Sequence, residues 1–216
     1  MVNEINGKNN IKTDYTGPQL MTEFVGQNFR GVLKGMESKH GYNLTDETRE
    51  QYVKMEEDRV IAKIKEAGKP CVGANEALAK IYAADKYKMA VVSSSALRRV
   101  QASIDKVDQT KFFKPEHVYS AATSLNPPTS KPDPAIYLHA CKEIGVEPKE
   151  CIAVEDSKSG TLSAVRAGIW TIAYTGSYHD PSKAKDMAQT LMDNGAVIHM
   201  EHWDQFEDCI KKIEAM

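Results

Sequence analysis

Short apolar segments alternate with longer amphipathic segments over the last two thirds of the chain. The apolar segments occupy residues 88–93, 117–121, 151–154, 169–174 and, more weakly, 196–199. Helical patterns separate or follow them, over 75–84, 96–106, 134–144, 157–167, 182–194 and 205–213. Strands that alternate with helices at this spacing predict a mostly parallel sheet covered by helices on both faces. The pattern therefore predicts an α/β fold.

The first seventy residues are rich in helix formers and carry no convincing strand pattern. Glycines interrupt residues 21–36, which predicts two short helices in that segment. Thr45 is placed to N-cap a long helix, which the sequence Ala-Gly-Lys-Pro at 67–70 ends. We therefore expect two domains, a helical domain over residues 1–70 and an α/β core domain over residues 71–216.

Charge and hydropathy narrow the classes of partner. The 216 residues carry 28 Lys and Arg against 30 Asp and Glu, a formal net charge of −2. This balance favours neither nucleic acid nor an anionic membrane as a partner. No apolar run approaches the ~18 residues of a membrane helix. The start of the chain is polar and asparagine-rich, so no secretion signal is expected.

The cysteines indicate a reducing compartment. Four of them lie far apart, at positions 71, 141, 151 and 209, and their spacing is not that of a zinc site. Scattered cysteines, two of them inside predicted buried elements, are typical of a protein that keeps its thiols reduced. We therefore expect a cytoplasmic protein.

The segment 151–168 combines a strand, two acids and a helix. A buried parallel strand is expected over 151–154, after which Glu155 and Asp156 follow directly. Ser157 is placed to N-cap the next helix, and Gly168 to end it. Ligands of open α/β sheets bind beyond the carboxyl ends of the strands, so the two acids are placed as ligands for a hard cation such as Mg²⁺. Acids near a helix start also offset the helix dipole, and the pair alone leaves both interpretations open.

Two other segments carry candidate phosphate-binding groups. Ser93 and Ser94 follow the first strand and precede a helix, where hydroxyl and backbone N–H groups bind anions. An N-cap function for Ser95 is the structural alternative, and it leaves Ser93 unexplained. Lys131 lies among the prolines of a stiff loop, as either a phosphate ligand or a solvated lysine. Asp133 and Pro134 have the pattern of an N-cap followed by a first helical proline.

Taken in order, these segments resemble three motifs of the haloacid dehalogenase superfamily. KMAVVS, ending at Ser93, resembles the second motif, SKPDP around Lys131 the third, and IAVEDSKSG around Glu155 and Asp156 the fourth. The sequences of these motifs are most similar to those of the helical-cap subgroup that contains sugar-phosphate phosphatases and β-phosphoglucomutase. FVGQNF at 24–29 is similar to the first part of that subgroup's cap.

The resemblance implies a Rossmann-like core, a helical cap and Mg²⁺-dependent hydrolysis of a small phosphomonoester, such as a sugar or polyol phosphate. It implies that Ser93, the backbone of Ser94 and Lys131 bind phosphate. It assigns Mg²⁺ to Glu155 and Asp156. A phosphomutase is the nearest alternative, whereas dehalogenation fits a metal-binding acidic pair less well.

The family's first motif, a strand that ends in D-x-D, does not occur in the 216 residues. Its first aspartate is the nucleophile of the family, and its second acts as acid and base. We therefore expect no useful turnover and weak or no Mg²⁺ binding. A non-catalytic protein that binds a ligand or a partner is the alternative from another functional class.

The missing motif also bears on the sheet, because the resemblance places its strand between those that end at Ser93 and Val154. Three explanations are open. The sequence begins too late, through a gene-model error or a deliberate truncation, which we favour because the later motifs are intact. The two strands instead pair directly with each other. Or another chain supplies a strand, which would give a homo-oligomer.

Overall fold

The structure, a computed structural model, describes residues 1–24 and 28–216, without the side chain of Met21. Residues 25–27 of the FVGQNF segment lie outside the described part of the chain. The chain divides into two compact units, Met1–Lys63 and Ile64–Met216. Within the described residues, no helix combines the length and the apolarity that crossing a membrane requires.

The first unit is built from helices. They are α1 (Val2–Lys8), α2 (Gly17–Glu23), α3 (Phe29–His40) and most of α4 (Asp46–Ala67). Thr16 and Gln19 form a capping box at the start of α2, Asn28 accepts the Gly31 N–H at the start of α3, and Thr45 accepts the Thr48 N–H. The prediction of two short helices in 21–36 is confirmed by α2 and α3, although both extend beyond that segment. The sequence pattern did not reveal α1.

A buried ion pair fixes the turn between α3 and α4. Both Glu37 oxygens accept hydrogen bonds from Arg49, at 2.9 and 3.1 Å, and one of them also accepts the Leu44 N–H at 2.6 Å. Burial alone would raise the pKa of Glu37, but the hydrogen bonds from Arg49 and Leu44 outweigh it and hold that pKa below its ordinary value. The charged carboxylate therefore stabilises this turn.

Replacing Arg49 with methionine is expected to destabilise the first unit by about 3 kcal/mol at pH 7, because Glu37 is left as an unpaired buried charge. A carboxylate whose pKa is lower in the folded state stabilises the fold fully at pH values above its unfolded-state pKa of about 4.3. This stabilisation is lost as the pH falls through the folded-state pKa. The deficit of Arg49→Met should therefore shrink at pH 3. Hydrogen exchange of α3 and α4 amides measures it, with exposed Lys54→Met as the control. Equal deficits at both pH values would contradict the ion-pair explanation.

The second unit alternates helices and strands, as the sequence predicts. Its strands are β1 (Val91–Ser93), β2 (Val118–Ser120), β3 (Ile152–Glu155), β4 (Trp170–Tyr174) and β5 (Ile198–Met200). Its helices are α5 (Ala74–Ala84), α6 (Leu97–Lys106), α7 (Ala135–Ile144), α8 (Lys158–Arg166), α9 (Pro181–Asp193) and α10 (Phe206–Glu214). Every strand pairing among the described residues is parallel, which confirms the α/β prediction.

The five strands form two separate sheets. One sheet pairs β1 with β2, and the other has the order β3-β4-β5. Within the described residues, β1 and β3 do not pair, so the direct pairing considered as an explanation does not occur. Helix α7 packs against β1, β2 and α8, and α8 packs against β3 and β4. One apolar cluster includes Tyr119 of β2, Ala153 of β3 and Ile136 of α7, so these helices and their core join the two sheets.

Burial differs among the strands of the two sheets. The three residues of β2 are buried, as are four of the five in β4. By contrast, every residue of β1 is only half-buried, and so are Ile152 and Val154 of β3. Parallel strands are ordinarily buried on both faces. The expectation of a buried strand over 151–154 is therefore wrong in part, because only Ala153 of these four residues is buried, and within the described residues β3 pairs with β4 alone.

Candidate active site

The loops that follow β1 and precede α7 meet the end of β3 through Lys131. The Lys131 backbone N–H donates to the Ser94 hydroxyl at 3.0 Å. Its ammonium donates to the Val92 carbonyl at 2.9 Å and to Glu155 Oε1 at 2.5 Å. The structure therefore brings together Ser94, Lys131 and Glu155, three residues that the sequence placed on three separate segments.

The Lys131 ammonium binds the edge of β1 that faces away from β2. The Ser93 carbonyl accepts the Ala121 N–H at 2.8 Å on the side of β2. Successive carbonyls of a strand alternate in direction, so the Val92 carbonyl lies on the opposite edge. Lys131 thus links this edge of β1 to the carboxylate at the end of β3. A side chain thus satisfies a backbone acceptor on an edge where the structure describes no pairing strand.

The loop that contains Ser93, Ser94 and Ser95 differs from its prediction in one respect. Ser95 is not the N-cap of α6, since Ala96 occupies that position and caps it with no side chain. The Ser95 N–H instead donates to Ser93 Oγ at 3.1 Å, which gives the Ser93 hydroxyl a local function. Thr123 Oγ1, which the sequence did not single out, accepts the Leu97 N–H at 3.3 Å. The start of α6 is therefore bonded in part by a threonine from the loop after β2.

The loop that carries Lys131 is hydrogen-bonded to both α7 and α8. Helix α7 begins at Ala135 with Pro134 at the N-cap, one residue later than expected, and Asp133 still accepts the Ala135 N–H at 2.8 Å. The expectation that Asp133 is the N-cap is wrong by one residue, because its carboxylate reaches the first turn from outside the helix. Ser163 of α8 donates to the Asp133 carbonyl at 2.7 Å.

Glu155 is enclosed by protein groups. It is 7% exposed, and its Oε1 accepts hydrogen bonds from both the Lys131 ammonium and the Tyr137 hydroxyl. Burial raises the pKa of Tyr137 well above its usual range, and the charge and hydrogen bond of Glu155 add to the effect. Tyr137 therefore stays protonated and donates. The only sequence signal for it was a hydroxyl on the buried, mainly apolar face of α7.

The second oxygen of Glu155 lies against α8. A Cβ atom built on Gly160 would meet Glu155 Oε2 at 1.8 Å and Cδ at 2.3 Å, so only glycine leaves room for this carboxylate. The predicted caps of the same helix are confirmed. Ser157 Oγ accepts the Gly160 N–H at 3.1 Å, and Gly168 follows the helix with a φ of +80°.

Asp156 points toward solvent. Its side chain is exposed, and its backbone carbonyl accepts a hydrogen bond from the Tyr178 hydroxyl at 2.9 Å. Burial raises the pKa of Tyr178, and the nearby charge of Asp156 raises it further. The two adjacent acids thus lie in opposite environments, since Glu155 is enclosed and ion-paired whereas Asp156 is open.

This donor set does not fit a resident Mg²⁺ ion. Mg²⁺ binds oxygen ligands in octahedral geometry at about 2.0–2.1 Å, and one or two carboxylates supply its protein ligands. Glu155 Oε1 already contacts an ammonium, which leaves Asp156 as the only open carboxylate of the pair. In the parts of the chain that the structure describes, no three His, Cys, Asp or Glu residues are grouped to hold a metal.

The second unit is thus an α/β structure with hydroxyl, lysine and carboxylate groups gathered beyond the carboxyl ends of parallel strands. A family model described as haloacid dehalogenase-like hydrolase matches residues 6–174. This match covers more than half of the chain, and the chain belongs to that family. The resemblance to this family is thereby confirmed.

Three known proteins illustrate the relationship. The 6-phosphogluconate phosphatase of Escherichia coli K12 is 27% identical over 162 residues, which cover 75% of this chain and 68% of that protein. A family IA hydrolase of Entamoeba histolytica has a TM-score of 0.76 at 20% identity, covering 98% of this chain and 89% of its own. A family hydrolase of Deinococcus radiodurans, solved with phosphate and sodium, has a TM-score of 0.65 at 21% identity, covering 100% and 88%.

Because the two solved structures share so little sequence identity with this chain, their similarity shows the fold alone. The length covered also varies among the curated relatives, since two Arabidopsis thaliana proteins are matched over only 29% and 28% of their own lengths. The chain therefore spans about two thirds of the bacterial phosphatase and less than a third of these plant proteins.

Proposed function

We propose that this chain binds a small phosphomonoester, of the sugar or polyol phosphate class, in a site of phosphatase ancestry. The observation that carries the proposal is the convergence of Ser94, Lys131 and Glu155 at the carboxyl ends of β1 and β3. Family membership and the similarity to a bacterial sugar-acid phosphatase support the class of ligand.

Each group has a role that its position supports. Lys131 uses two of its three ammonium N–H groups on Val92 and Glu155, which leaves one for a phosphate oxygen. The hydroxyls of Ser93 and Ser94, with the backbone N–H of Ser94, are the further phosphate ligands that we propose. A lysine held in one orientation in a partly enclosed site stabilises phosphoryl charge better than a solvated lysine does.

Hydrolysis requires a nucleophile that these groups do not provide. The 216 residues contain no D-x-D sequence, and Glu155 is engaged by Lys131 and Tyr137. Mg²⁺, with Glu155 and Asp156 as ligands, is the cofactor that the family resemblance implies. Because Glu155 is engaged, we propose weak or no Mg²⁺ binding and no useful turnover by residues 1–216. Binding without turnover is also what a non-catalytic member of the family would do.

The wider assignments remain part of this proposal. We propose residues 1–70 as the helical cap and 71–216 as the core, an arrangement that the two compact units support. Four free cysteines support a reducing compartment such as the cytoplasm. The half-buried edges of β1 and β3 support a homo-oligomer in which a strand is supplied in trans.

Titration calorimetry with glucose 6-phosphate and ribose 5-phosphate tests the binding function. We expect Ser94→Ala to weaken binding about threefold to tenfold and Lys131→Met to weaken it at least tenfold, because a charged hydrogen bond contributes more than a neutral one. Lys149→Met, which removes an exposed lysine from the opposite end of β3, is the matched control and should bind like the parent chain.

A phosphate-release assay with the same esters and Mg²⁺ completes the test. The parent chain is expected to release no phosphate above the buffer background. Turnover that Asp156→Ala abolishes would contradict the absence of a nucleophile. Equal affinities for the parent chain, Ser94→Ala and Lys131→Met would contradict the location of the binding site.

A further inference from the structure

The carboxylate that family resemblance assigns to a metal ion already has a cation beside it. The Lys131 ammonium lies 2.5 Å from Glu155 Oε1, and both side chains are about nine-tenths buried, at 10% and 7% exposure. The hydroxyl of Tyr137, a residue of α7, donates a hydrogen bond to the same oxygen. Glu155 Oε1 therefore has its charge balanced and its hydrogen bonds made within the protein.

Lys131 is held in this position by more than the ion pair. Its ammonium also donates to the Val92 carbonyl at 2.9 Å and lies 4.8 Å from the centroid of the Tyr137 ring. An ammonium over an aromatic face gains electrostatic energy, more so when both groups are shielded from water. The hydrogen bond from the Lys131 backbone N–H to the Ser94 hydroxyl holds the loop itself in place.

A divalent cation at Glu155 would compete with these contacts. A Mg²⁺ or Mn²⁺ ion bound to Glu155 would stand within a few ångströms of the ammonium, and two unshielded positive charges repel strongly in a partly buried site. Glu155 Oε2 is already packed against Gly160 of α8, 1.8 Å from the place that a Cβ atom would take there. Binding of the metal through Glu155 therefore requires the lysine to leave.

We propose that Lys131 is the resident cation of this site, so that a divalent metal binds Glu155 only by displacing the Lys131 ammonium. The inference deepens the proposed function, on which it rests for the identity of the site. It makes the intact site independent of metal and gives Lys131 a second role, as a competitor of metal at Glu155. Asp156 alone then offers only a weak, exposed position for a cation.

Mn²⁺ binding measured by electron paramagnetic resonance tests the proposal on the full chain at 10 °C, after circular dichroism has verified folding. Lys131→Met should bind Mn²⁺ at least tenfold more tightly than the parent chain. Adding Glu155→Gln to that variant should remove the gain. Tyr137→Phe, which frees one bond to Glu155 Oε1 while keeping the lysine, should gain no more than about threefold.

A matched control separates displacement from general charge. Lys158→Met removes an exposed lysine two residues after Asp156 and should change Mn²⁺ affinity by less than twofold. The proposal is overturned if Lys131→Met binds Mn²⁺ no more tightly than the parent chain, or if the gain survives Glu155→Gln.

A second measurement needs no variant that alters the ion pair. In the parent chain labelled uniformly with ¹⁵N and ¹³C, the Lys131 ammonium should give a resolved NMR signal because its hydrogen bonds slow exchange with water. Saturating Mg²⁺ should remove or shift that signal together with the Glu155 side-chain carboxyl signal. A saturable shift of the Glu155 carboxyl signal with the Lys131 signal unchanged would overturn displacement. Failure of sugar-phosphate binding, by contrast, would refute the proposed function and leave the metal result intact.

Discussion

Replacing Lys131 with methionine is expected to lower the free energy of unfolding of the second unit by about 3–5 kcal/mol. The variant leaves Glu155 as a buried carboxylate whose remaining strong donor is Tyr137, and it leaves the Val92 carbonyl without its ammonium. Loss of one partner of a buried pair costs more than the pair itself contributes. Urea unfolding followed by tryptophan fluorescence measures the change, because both tryptophans, Trp170 and Trp203, lie in this unit.

Two further variants show which interaction accounts for the loss of stability. Lys149→Met, an exposed site, should stay within about 0.5 kcal/mol of the parent chain. Adding Glu155→Gln to Lys131→Met should restore part of the stability, since a neutral amide costs less to bury than an unpaired carboxylate. A loss below about 1 kcal/mol for Lys131→Met would mean that the ion pair does not hold the two sheets together.

Replacing Gly160 with alanine is expected to destabilise the second unit by about 3 kcal/mol, although alanine is the better helix former. The added methyl would lie 1.8 Å from Glu155 Oε2, and the carboxylate cannot move without breaking its bonds to Lys131 and Tyr137. Steric overlap and the lost ion pair therefore act together. Thermal and urea unfolding, followed by the same tryptophan signal, measure the effect.

The clash with Glu155 is separable from other effects of the methyl group. In a Glu155→Ala background, Gly160→Ala should cost less than about 1 kcal/mol, because the overlapping atoms are gone. Gly7→Ala in α1, where no atom of the described residues lies within 4 Å of the new Cβ, should be neutral or stabilising. A full penalty for Gly160→Ala in the Glu155→Ala background would show that the cause lies elsewhere.

Local sequence signals predicted much of the fold. The caps at Ser157 and Gly168 and the position of all five strands follow from short-range patterns, because capping and strand burial depend on neighbours in sequence. The shift of α7 by one residue and the failure of Ser95 as an N-cap are local errors of the kind expected at helix ends.

The sequence predicted the residues of the site better than their contacts. Lys131 was expected to face phosphate, and Glu155 a metal ion, yet each is the other's nearest charged partner. That contact joins residues 24 positions apart, and Tyr137 completes it from a helix whose pattern indicates packing alone. Such contacts depend on how the elements meet, so neither spacing nor periodicity reveals them.

The separation of β1 from β3 has a consequence for cohesion. In a continuous sheet, backbone hydrogen bonds hold neighbouring strands, and dissolved salt affects them little. Between these two sheets, an ammonium bound to a carbonyl and a carboxylate, together with two packed helices, performs that task. The cohesion of the α/β unit across this line therefore depends in part on a single ionised side chain, so chemical modification of Lys131 would weaken the middle of the domain rather than its rim.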